Sequence, residues 1–220
     1  MSNFIFHAEV VPVLKALAGF TARNDIRWYL NGIHCVQEGA SVRLEASDSH
    51  SVARVTVAGV YIDMPAPELI LSPAGMARLE EQNFYTDLEL NPSCYQLIGE
   101  SLPDVPVQCR AKYPDLAKAE KEVRDRFDPA AGYTHSFKLK LLQPILKAKK
   151  HISARKRADS TDADRLITLT MRGLRRDDVD RYGKQYGGAL EFSFPVSIMP
   201  ANAASDFSGL VLSVADEERR

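Results

Sequence analysis

The feature that most constrains this chain is an order of elements that occurs twice. Val10, Leu14, Leu17 and Ala18 fall at helical spacing between Val10 and Thr21, with Pro12 in the first turn, where its missing N–H does no harm. "WYLNGIHCV" then reads as a strand, and "ASVRLEASD", "SVARVTVAGVYI" and "APELILSP" as three more. In "ASVRLEASD" the residues Val42, Leu44 and Ala46 share one face and Arg43, Glu45 and Ser47 the other. Ser72-Pro73 predicts the start of a short helix, "AGMARLEEQN", followed by strands at "TDLELNP", "CYQLIGES" and "VPVQCRAKYP". After the charged run "DLAKAEKEVRDRFDPAA", a solvated linker or exposed helix, the order restarts. "YTHSFKLK" is strand-like. "LLQPILKAKKHISARKR" is a helix with Leu141, Ile145, Ala148 and Ile152 on one side and Pro144 in its first turn. "DRLITLTMRG" and "GALEFSFPVS" are strands, "IMPANAASDF" reads as a short helix, and "GLVLSV" is a last strand. Internal repetition of a unit that cannot close its own core is a fold signal, and here it predicts an α+β protein of repeated β-α-β-β-β units.

Bulk properties narrow the class. The 220 residues suffice for one large domain or two smaller ones, and 45% hydrophobic content supports a core. No apolar run is long enough to span a bilayer as a helix, and "MSNFIFHAEVV" lacks the pattern of a secretory leader. The three cysteines, Cys35, Cys94 and Cys109, are far apart and odd in number, which predicts reduced thiols in a cytoplasmic protein. No cofactor and no metal is expected. Asp159, Asp162 and Asp164 lack the glycine and closing glutamate of a calcium loop, and Asp48 and His50 have no nucleophile beside them at a catalytic spacing. Phosphate-cradling glycine loops, HExxH and G-x-S-x-G are all missing from the sequence, so the chain reads as a non-enzyme.

The net charge of −1 hides a segregated run. From Lys138 to Arg157 the chain carries Lys138, Lys140, Lys147, Lys149, Lys150, Arg155, Lys156 and Arg157 without one acidic residue. A helix here would pack its apolar face on a sheet and turn its cations outward, toward an extended polyanion or simply toward solvent. The first helix adds only Lys15 and Arg23, while Arg78 is nearly cancelled by Glu80 and Glu81. "MRGLRRDDVDR" mixes both signs and reads as a solvated loop.

Taken in order, the segments resemble a known family. "DIRWYLNGIHCVQEGASVRLEASDSHSVARV", with "YLNG", "EG" and the Asp48-x-His50 pair, is similar to the middle domain of the bacterial DNA polymerase III beta subunit, the sliding clamp. "LILSPAGMARLEE", "RAKYPDLAKA" and, later, "YGGALEFSFPVSIM" continue the likeness. The resemblance implies a clamp fold, with helices on the inner face and antiparallel sheets outside. It implies clamp units at residues 1–119 and, shortened, 133–214, a charged linker at 120–132 and a charged tail at 215–220. It implies that duplex DNA, without base reading, meets Lys15, Arg23, Lys147, Lys149, Lys150, Arg155, Lys156 and Arg157. It also implies that a polymerase and a clamp loader dock short linear motifs in a groove of Leu30, Ser47, Asp48, His50, Val52, Pro114, Lys118 and Ala119. The family has glycine where Ser49 stands and tyrosine where Leu116 stands, and its last two strands have no counterpart after Val214. A homo-oligomer follows from the resemblance, a trimer if three two-unit chains close a six-unit ring, and the shortness suggests a phage or mobile-element source. The competing readings are a clamp-like regulator or decoy that binds replication proteins without encircling DNA, and a non-specific DNA-binding protein.

Overall fold

A computed structural model describes residues 4–7, 10–58, 62–63, 67–71, 94–97, 113–125, 127–128, 139–153, 167–174, 188–198 and 203–212. Eleven strands and three α-helices are defined among them. The strands are β1 (Phe4–His7), β2 (Ile33–Glu38), β3 (Ser41–Ser47), β4 (Ser51–Ala58), β5 (Ile62–Asp63), β6 (Glu68–Leu71), β7 (Cys94–Leu97), β8 (Phe127–Asp128), β9 (Thr168–Leu174), β10 (Gly188–Ile198) and β11 (Ala203–Leu212). The helices are α1 (Val11–Ala18), α2 (Leu116–Asp125) and α3 (Leu139–Ser153). A small sheet pairs β5, β1 and β7, and an eight-stranded sheet has the order β6-β2-β3-β4-β11-β10-β9-β8.

That large sheet is continuous across the two passages. β4 pairs antiparallel with β11, Arg54 opposite Ser208 and Val52 opposite Leu210. Gly209 makes this pairing possible: a β-carbon there would lie 2.0 Å from the Val52 carbonyl oxygen and 2.6 Å from the Phe192 ring. The β2–β3 turn likewise needs Gly39, whose φ is +61°.

One face of the sheet carries α1 and α3, which pack against each other and against the strands. Their apolar residues Val13, Leu14, Leu17, Leu141, Ile145 and Ala148 meet Val42, Leu44, Val55, Phe192, Phe194, Phe207 and Val211 in one cluster. Phe20 sits at its centre, 5.5 Å from Phe192 and 6.0 Å from Phe207 between ring centroids. Each such buried phenyl contributes about 1.5–3 kcal/mol by removal from water. α1 ends where Thr21 donates its hydroxyl to the Ala18 carbonyl at 3.0 Å. Burial of Cys35 in this core pushes its thiol well above the ordinary range, so the group is an inert apolar filler.

Several expectations are corrected. "WYLNGIHCV" is not one strand: Trp28–Asn31 form a single 3₁₀ turn and β2 starts at Ile33. "IMPANAASDF" is not a helix, because Ala203 onward pairs with β10 from Ile198 back to Ala189. Pro144 lies in the second turn of α3, not its first, since the helix starts at Leu139. It is tolerated where its ring meets Gly19 at the C-terminus of α1, with 3.5 Å from the proline Cβ to a β-carbon placed there. Of the two readings of the charged run, residues 116–125 take the helical one. The predicted helix at 74–83, the strands at 86–92 and 105–112, and the tail lie outside the described residues.

Candidate nucleic-acid face and partner groove

On α3 the apolar positions point to the sheet and the cations follow from the remaining arc. Lys140, Lys147, Lys150 and His151 are exposed, and no acidic residue stands on this helix. Lys149 is corrected: it is buried, with its Nζ 4.9 Å from the centroid of the Phe194 ring, so it belongs to the core edge and not to the exposed row. Leu139 and Leu146 are exposed beside the lysines, an apolar edge that the sequence reading did not single out. Lys15 on α1 is half-buried and Arg23, past its end, is exposed. Arg155, Lys156 and Arg157 lie outside the described residues.

The opposite face of the sheet is charged where the helix-covered face is apolar. His34 on β2 reaches Glu45 on β3 through Nδ1 at 2.7 Å and Glu68 on β6 through Nε2 at 2.6 Å. Its ring stacks on Tyr113 with centroids 4.1 Å apart. Arg43 donates to Glu38 at 2.7 Å and also to Glu45. Glu45 lies on the face that alternation assigns it and is buried there. Further along, Arg54 of β4 donates to Glu120 of α2 at 2.5 Å, and Arg124 of α2 pairs with Glu191 of β10 at 2.5 Å. α2 is thereby fastened to both sides of the β4–β11 seam. Burial raises the Glu120 carboxyl above its ordinary value, outweighing the opposite pull of Arg54 and Arg124.

The groove residues divide into three groups. Leu30 is buried with Ile70, Tyr113 and Leu116, and Val52, Ala22 and Tyr29 pack against that cluster half-buried. Pro114, Lys118, Ala119 and His50 are exposed around it. Ser47 and Asp48 are turn-builders: Asp48 Oδ1 accepts from the backbone N–H of His50 and Ser51 and from the Ser51 hydroxyl, and the Ser47 hydroxyl accepts from the Ser49 N–H. Those bonds hold Ser49 at φ +77°, a left-handed conformation that favours glycine. His50 is tied down through its carbonyl, which accepts from Leu212 at 2.9 Å. Sequence reasoning passed over Arg27. Its guanidinium grips Asp25 at 2.9 and 2.7 Å and, with the Arg27 backbone N–H, holds the Asp25 carboxyl down to about 2; it also donates to Ser49 at 2.6 Å. It also passed over Trp28 and the fully solvent-facing Ile26 beside the groove.

Comparison with solved structures bears on this arrangement. The Helicobacter pylori beta clamp in complex with diflunisal superposes with a TM-score of 0.51 at 11% identity, over 98% of this chain and 67% of that one. The fold is that of a sliding clamp. The Pseudomonas aeruginosa DNA polymerase III subunit beta is matched at 14% identity and TM-score 0.38, over 96% of this chain and 50% of that one. The Bacillus subtilis DNA polymerase sliding clamp is matched at 11% identity and TM-score 0.39, over 98% and 49%. The chain thus spans about half the length of those two clamps. No protein-family model and no curated protein matches the sequence.

Proposed function

We propose that the chain is a non-catalytic, clamp-type processivity factor that cradles duplex DNA against the face that carries α1 and α3 and docks replication proteins on the opposite face, beside α2. The observation that carries the reading is the placement of α1 and α3 side by side on one face of a continuous antiparallel sheet, with Lys140, Lys147 and Lys150 exposed on the outer arc of α3. Lysines without partnered base-reading side chains suit a protein that must slide, because phosphate contacts position without specifying. In this reading residues 1–119 and 133–214 are two clamp-like units sharing one sheet, and three copies supply the six units of a ring. The partner groove is the Leu30–Val52–Leu116 cluster with Pro114, Lys118, Ala119 and His50 on its rim. The polymerase and the clamp loader would each offer a short motif with apolar anchors.

The test is topological. The chain is assembled on nicked circular DNA, washed in high salt, and then the circle is cut. A linked ring stays on the circle and leaves on linearisation, whereas purely electrostatic binding fades with salt on both forms. Light scattering in parallel reads the copy number: a trimer fits the ring, and a monomer that still binds replication proteins fits the regulator instead.

A further inference from the structure

The groove just assigned is not open. Leu30, its inner wall, is nearly inaccessible, packed in one cluster with Ile70, Tyr113 and the chain's own Leu116, the first residue of α2. α2 meets the sheet through few side chains: Leu116 and Glu120 are buried, Val123 is half-buried, and Ala117, Lys118, Ala119, Lys121 and Glu122 face solvent. The fastening is electrostatic. One Glu120 oxygen serves Arg54 at 2.5 Å and Arg124 at 3.4 Å, while the other, buried, has no hydrogen-bond partner among the described residues. A buried ion pair of this kind adds little net stability, because desolvation consumes most of the attraction. A ten-residue helix is also marginal without its tertiary contacts.

We propose that α2 is a strap that keeps the outer groove closed by plugging it with Leu116, and that a partner's apolar anchor takes the place of Leu116 only when the strap lifts. This rests on the reading of that cluster as the partner groove. The strap also spans the β4–β11 seam through Arg54 and Glu191, so lifting it releases a tie between the two halves of the sheet. The groove's apparent affinity for a motif is then the intrinsic affinity scaled by the open fraction.

The experiment is hydrogen–deuterium exchange on the full chain, alone and with an excess of a short peptide bearing adjacent leucine and phenylalanine anchors. Peptide binding should speed exchange of the α2 amides while those of β3 stay unchanged. Glu120→Ala, which takes the shared carboxylate from Arg54 and Arg124, should speed α2 exchange by about tenfold without peptide and tighten peptide binding by a similar factor. Leu116→Ala keeps the fastening but removes the plug, and should tighten binding with little change in α2 exchange. It serves if Glu120→Ala does not fold. Peptide that binds while α2 exchange slows or stays the same overturns the strap. Peptide that binds neither wild type nor Leu116→Ala, although α2 opens freely in Glu120→Ala, overturns the groove reading and with it the displacement step.

Discussion

The two faces of the large sheet are built on opposite principles. Under α1 and α3 the strands present Val42, Leu44, Val55, Phe192, Phe194 and Phe207, and shape alone decides the fit. On the other side the same strands present His34, Arg43, Glu45, Arg54 and Glu191, and the covering helix is fastened by charge. A strand whose two sides are both covered can therefore be stiff on one side and adjustable on the other. The apolar face fixes where the lysines of α3 stand, while the charged face holds α2 by a few ion pairs.

The largest expected effect tests the stiff side. Phe20→Ala should cost about 3–5 kcal/mol in urea unfolding, because it empties a site between Phe192 and Phe207. A cost near 1 kcal/mol would mean that this face, too, yields. On the charged side, Glu120→Ala should cost about 1–2 kcal/mol, since Arg54 remains partly hydrated when its partner goes. The sign of the pH effect follows from the raised carboxyl. Folded Glu120 holds its proton more tightly than its ordinary 4.5, so its contribution is full below about that pH and is lost as pH rises through the folded value. Glu120→Gln should flatten that part of the stability–pH curve.

Asp25 behaves in the opposite way. Its carboxyl is held down to about 2 by Arg27, so its contribution is present above its ordinary 3.8 and is lost as pH falls toward about 2. Asp25→Asn should remove only the acid-side slope of the unfolding curve. Ser49→Gly should stabilise by about 1 kcal/mol in thermal unfolding by relieving the left-handed backbone, less whatever the Arg27 hydrogen bond supplies. The smallest effect on stability is at the lysines. Lys147→Ala and Lys150→Ala should each leave unfolding within about 0.5 kcal/mol of wild type and lower the salt slope of DNA binding by about 1. An unchanged slope would overturn the proposed DNA contact of α3.

Much of the apolar face was legible because its cause is local. Pro12 with Leu14 and Leu17 announces α1, and the alternation of Val42, Leu44 and Ala46 announces β3 and its inner side. The 3₁₀ turn at Trp28–Asn31 was read as strand because its aromatic residues favour both, and only Gly32 marked the change. "ANAASDF" has helical composition, yet pairing with β10 from Ala189 to Ile198 prevails over local preference. The charged face was not legible. Glu120 meets Arg54 across 66 positions and Arg124 meets Glu191 across 67, separations that no periodicity reports. Lys149 was misjudged for a related reason: its aromatic partner, Phe194, lies on a distant strand. Around Leu30 the division of the expected groove residues into buried, exposed and turn-building depends on the packing of Leu30 with Ile70, Tyr113 and Leu116, contacts between distant segments that no local pattern reports.

The pairing of β4 with β11 has a consequence for how the molecule is made. On a growing chain β4 emerges early, while the neighbour that completes it is the final described strand. Until then the Ser51–Arg54 backbone has an unsatisfied margin able to capture any extended segment, including another nascent copy. Assembly dominated by so distant a partnership is intrinsically slow, and a ribosome pause or a truncation before Ala203 would strand the product in an adhesive form.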